Sequence, residues 1–154
     1  MDDFETRTFT LDEAQSLLPV LESLIKRAVD AKRAVEVIEG RLQELARKIF
    51  LSGGYFVDVT TVARDRTALN THVQAAKDSV AEIDAIGVQV KDLDSGLLDF
   101  PCFLDGEIVL LCWKLGETRI THWHTIDAGF RGRQPIDERF HVRRSGKSDT
   151  ELPN

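Results

Sequence analysis

Cysteine is scarce in this chain: the 154 residues contain two, Cys102 and Cys112, ten positions apart. That spacing matches no zinc-binding or dithiol redox motif, so both are expected as reduced core residues. A basic excess is missing too. Against 26 acidic residues stand 20 lysines and arginines, for a formal net charge of -6, whereas a protein that tracks a phosphate backbone needs a basic stripe to release counterions. Nucleic acid is therefore a poor expectation. No apolar run approaches the ~20 residues needed to cross a bilayer, and no basic segment near Met1 leads into an apolar one. The chain reads as cytoplasmic, without a membrane span. No His-Glu-x-x-His, no paired cysteine motif and no recognisable nucleophile occurs.

What remains is a charged globular composition, 42% hydrophobic and 30% charged, long enough to bury one core without staples. We expect a single domain over 1–140, with a helical hairpin over about 11–87, a β element over about 88–136 and a mobile tail over 141–154. The basic cluster Arg143-Arg-Ser-Gly-Lys147 reads as a solvated end.

Thr10-Leu-Asp-Glu13 has the form of a capping box and starts a helix. Ala14, Leu21, Ala28, Val35, Leu42 and Ile49 then recur every seven residues, and Leu17, Leu24, Ala31, Ile38 and Leu45 follow three positions behind. This coiled-coil-like stripe predicts a helix from Leu11 to about Phe50, ~60 Å long. Pro19 removes one amide donor, which predicts a kink and not a stop. Gly53-Gly54 lies in a loop expected over 51–61. A second helix is expected over about 62–86, with Leu69, Val73, Ala76, Val80 and Ile83 on its seam and Gly87 as its stop. It spans only ~38 Å. The early part of the first helix therefore needs cover from the C-terminal region or from a second chain, which is the reason to expect a homodimer. His72 sits beside the seam and reads as a flank residue.

After Gly87 the period drops towards two. Leu97–Leu104 and Glu107–Leu115 flank Asp105-Gly106, the residues of a two-residue type I′ hairpin. That turn pairs Leu104 with Glu107, Cys102 with Val109 and Asp99 with Cys112, and places the two cysteines on opposite faces. A third strand is expected over about 119–125, completing a three-stranded antiparallel meander. Its register is open. With a two-residue turn Cys112 opposes Thr121, and His122 and His124 lie on the face opposite Asp99; with three, Cys112 opposes His122 and shares its face with Asp99. The fold class is α+β, with the sheet laid against the early part of the first helix.

Several segments also resemble a known family. Gly87-Val88, Lys91-Asp-Leu93, Gly96-Leu-Leu-Asp-Phe-Pro101, Leu111-Cys-Trp-Lys-Leu-Gly-Glu117, Trp123-His124, Asp127, Gly129-Phe130 and Gly132-Arg133 resemble the bacterial family catalogued as domain of unknown function 2203. The likeness runs from Thr8 to about Ile136. It implies a helical hairpin with a C-terminal β element and brings no activity or cofactor. An aromatic residue often stands in that family where His122 stands here, which weakens a metal site that needs both histidines.

The polar candidates are Asp99, His124, Asp127, Arg131 and Arg133. His124 with Asp99 or Asp127 has the residue types of a general base and its orienter. Arg131 and Arg133 could hold an anion or close a loop. A divalent metal, as the alternative cofactor, would take Asp99, His122, His124 and Asp127; structural histidines are favoured over ligands, and Cys112 over a reactive thiol as an inert one. The leading functional expectation is a non-enzymatic interaction or scaffold protein acting through its helical hairpin. The alternative is a small metal- or anion-binding protein, possibly a hydrolase.

Overall fold

A computed structural model describes residues 7–54 and 57–141. Apart from His141, the expected mobile tail lies outside the described residues. Helix α1 runs over Leu11–Leu51 and begins with the expected capping box. The Glu13 amide donates to Thr10 Oγ1 at 3.1 Å, and the Thr10 amide donates to Glu13 Oε1 at 2.9 Å. Two donors that the first helical turn cannot satisfy internally are thereby paired. We expect Thr10→Ala to cost about 1 kcal/mol in a urea titration. The helix continues without a break through Pro19.

Helix α2 covers Val59–Ile86, starting three residues before the expected position. Asp58 accounts for the difference. Its carboxylate accepts from the Thr60 amide and the Thr61 hydroxyl, so the β-branched Val59-Thr-Thr61 begins the helix instead of ending the loop. The helices pack as an antiparallel hairpin, and Arg41 of α1 pairs with Asp65 of α2 at 2.8 Å.

The C-terminal sheet has five strands where three were expected. They are β1 (Gln89–Asp92), β2 (Leu97–Leu104), β3 (Glu107–Lys114), β4 (His122–Thr125) and β5 (Gln134–Pro135), in the antiparallel order β1-β2-β3-β4-β5. The short edge strands β1 and β5 carry too few residues for a period to show. Asp105 and Gly106 both have positive φ, 50° and 86°, as a type I′ turn demands. The β2–β3 register follows from that turn, with Leu104 opposite Glu107 and Asp99 opposite Cys112.

One face of the sheet, with Leu98, Phe100, Leu111, Trp113 and Trp123, joins a single core with Leu11, Leu18, Leu21 and Ile25 of α1. The early part of α1 is thus covered by the β element of the same chain. Among the described residues, no helix is long and apolar enough to cross a membrane.

Candidate functional site

The site depends on the β3–β4 register, which the sequence left open. In the structure Cys112 opposes His122 and Leu110 opposes His124. Strand β4 begins at His122, not at the expected Arg119, because Ile120 is drawn towards α1. Its amide donates to Gln15 Oε1 at 3.0 Å, and its carbonyl accepts from Gln15 Nε2 at 3.4 Å. With both backbone groups bonded to a helix side chain, Ile120 cannot continue the ladder. The connection from β3 is therefore long, and its register is the one that aligns Asp99, Cys112 and His122 across three strands.

Side chains alternate across a sheet, so His124 shares that face with Asp99 and Cys112. This face points away from the helices. Segment 126–133 folds over part of it, and between them lies a pocket of about 450 Å³. Leu97, Pro101, Ile108, Leu110 and Phe130 supply apolar lining, Gln89 and Lys91 line it from β1, and Asp99 and His124 are its buried polar groups. Asp99 is 1% exposed and His124 2%.

His124 is held from both ends. Its Nδ1 lies 2.8 Å from the Thr125 carbonyl, which can only accept, so Nδ1 carries the hydrogen and donates. Nε2 faces Asp99 Oδ1 at 3.3 Å, and the two share one proton. The second carboxylate oxygen, Asp99 Oδ2, is buried and has no hydrogen-bond partner. Burial raises the Asp99 pKa above the ordinary carboxylate range, while His124 and then Lys91 draw it back.

Cys112 completes a cluster. The ligand atoms of Asp99, Cys112 and His124 all lie within 4.8 Å of one another. Burial first, and the Asp99 charge second, push the thiol up to about 11, against the pull of the Arg133 guanidinium. We expect iodoacetamide at pH 8 to modify Cys112 on the order of a hundredfold more slowly in the folded than in the urea-unfolded chain, measured by peptide mass spectrometry.

Of the five expected polar residues, the structure brings Asp99 and His124 into contact and sets the Arg133 guanidinium beside Cys112. Asp127 and Arg131 are exposed on the covering segment, and Arg133 lies with its guanidinium 4.3 Å over the Phe130 ring. His122 is on the same face, half-buried, with Nδ1 bonded to the Thr121 hydroxyl at 2.9 Å. Among the described residues, neither His122 nor Asp127 belongs to the compact group of potential ligands; Cys112 takes that place. The Asp105-Gly106 turn had already paired Cys112 with Asp99, and that was the available signal. Lys91 and Phe130 left no such trace, because their roles arise from an edge strand and a folded-over loop.

Gly129 permits that loop. Its φ of 68° and ψ of -172° lie in a region that essentially only glycine occupies. Gly129→Ala is expected to cost about 1–3 kcal/mol in a denaturant titration, or to displace the pocket wall.

No curated protein and no solved structure matches the chain. A family model described as "Uncharacterized conserved protein (DUF2203)" matches residues 7–136, a span that takes in both helices and all five strands. On that match, the chain belongs to the DUF2203 family.

Proposed function

We propose that this is a cytoplasmic protein that binds a small molecule in the pocket on the outer face of its sheet. The carrying observation is Asp99 Oδ2, a buried carboxylate oxygen without a partner at a pocket. A buried polar atom costs free energy unless it is bonded, and a ligand donor reaching the pocket floor would supply that bond. The walls suit an apolar body, the Asp99–His124 pair suits its polar end, and Lys91 favours an anionic group at the rim.

A fragment library screened by saturation-transfer NMR against the full chain tests this reading. Hits should be small amphipathic molecules, and Ile108→Trp should abolish their binding, since half-buried Ile108 lines the pocket. Hits that Ile108→Trp leaves unchanged, or a library without hits, would overturn it.

A second reading keeps the hairpin as an interaction surface. Its far end exposes apolar side chains, Phe50 at 83% and Val59 at 75%, with Ile49 and Leu51 beside Phe50. Grouped apolar exposure of this kind favours self-association, and a homodimer through this end is the form we propose. Light scattering at micromolar concentration should report twice the chain mass, falling to one chain in Phe50→Glu. A strictly monomeric parent protein removes the dimer.

A further inference from the structure

We propose that Asp99, Cys112 and His124 form a three-ligand site for a divalent, borderline-soft cation, zinc foremost, whose fourth position opens onto the pocket. The inference deepens the pocket reading and rests on the pocket floor being a functional site.

Three observations on different atoms converge. The first is the donor set. Thiolate sulfur, imidazole nitrogen and carboxylate oxygen are the three side-chain ligand types of zinc, and three protein ligands with one open position is the pattern of its reactive sites. The second is spacing. Bonds of about 2.0–2.3 Å in tetrahedral geometry separate neighbouring ligand atoms by roughly 3.3–3.6 Å. His124 Nε2 and Asp99 Oδ1 stand 3.3 Å apart, and all three ligand atoms lie within 4.8 Å, so a modest side-chain adjustment closes the set. The third is orientation. The Thr125 carbonyl takes the Nδ1 hydrogen and directs Nε2 inward, the support that a ligating histidine characteristically has. Asp99 Oδ2, buried and unbonded, leaves the carboxylate a free oxygen at the same point.

The ion would replace the proton between Nε2 and Oδ1, and coordination at sulfur would release the thiol proton to solvent. Arg133 beside Cys112 offsets part of the negative charge that the thiolate and carboxylate bring together. His122 and Asp127, the other residues of the metal set expected from sequence, are left out because they are not in the compact group. At the pocket floor, the cation's open position would take the polar end of a bound ligand.

The test is titration of the chelator-treated full chain with cobalt(II), followed by competition with zinc. One equivalent should bind with a thiolate-to-cobalt charge-transfer band and the intense visible bands of a four-coordinate ion, and zinc should displace it. Cys112→Ser should lose the charge-transfer band while keeping the parent's circular dichroism. Asp99→Asn should keep the band and bind roughly tenfold or more weakly. His122→Ala should behave as the parent. Binding of less than one equivalent, a cobalt spectrum without the sulfur band, or a band that survives Cys112→Ser would each overturn the site. Zinc binding without fragment hits would reject the pocket reading alone, and fragment hits without metal would reject the metal alone.

Discussion

His124→Ala is expected to lower the unfolding free energy by about 3–5 kcal/mol near neutral pH, read from urea titrations. The loss arises mostly at Asp99. Its carboxyl is buried, and among the described residues the imidazole at 3.3 Å is the hydrogen-bond partner it has. Without His124 the carboxyl must stay desolvated and unpaired, or the sheet face must open to water. Replacing both partners has a different consequence. Buried ionic pairs exchanged for apolar residues of similar volume are often neutral or stabilising by about 1–4 kcal/mol, so Asp99→Leu with His124→Leu should be at least as stable as the parent. A double variant that loses as much as His124→Ala would instead mark the pair as structural.

The pH dependence has a definite sign. Burial raises the Asp99 pKa on folding, against the attraction of His124. A carboxyl raised in this way holds its proton more tightly folded than unfolded. Its contribution to stability is full below the unfolded value and is lost as pH rises through the raised folded value. Removing His124 removes the first opposing influence, so the loss should extend to higher pH in His124→Ala. In Asp99→Asn this component of the pH profile should vanish.

Trp113→Ala is expected to cost a further about 3–5 kcal/mol, a large share of the ~5–15 kcal/mol that stabilises a domain. Trp113 is fully buried in the core that joins the sheet to α1. Its indole also donates to the Glu117 carbonyl at 3.0 Å, while Glu117 Oε1 accepts from the Lys114 amide. The substitution therefore empties a core volume and loosens the connection from which β4 takes its register. Trp113→Phe keeps most of the packing and loses the hydrogen bond, so about 1–2 kcal/mol is the expected cost. Equal losses in the two variants would mean that the indole bond, and not the packing, dominates.

Much of the architecture was legible because it is local. The capping box at Thr10 and Glu13, the heptads of α1 and the Asp105-Gly106 turn each state a conformation within a few residues. The turn then dictates a whole strand pairing, since register propagates two residues at a time. Expectation failed once at an overlooked local cap and once where a local signal met a distant partner. Asp58 started α2 early by capping it, and Gln15 captured Ile120 across the fold and shortened β4. The two edge strands were too short to carry a period. For the site, Asp99 and His124 were identified by residue type, whereas Cys112 was read as inert.

Sequence alone determined that this is an α+β chain with a long capped helix, a shorter partner and a hairpin that puts Cys102 and Cys112 on opposite faces. These follow from backbone preferences and side-chain alternation, which act over one to seven residues. Tertiary structure alone decided that a histidine meets Asp99, because a one-residue change in the β3–β4 register would turn both His122 and His124 to the other face. It also decided that segment 126–133 would fold over that face and make a pocket of it. Both outcomes depend on contacts between residues far apart in the chain, such as Gln15 with Ile120, and no local pattern encodes them.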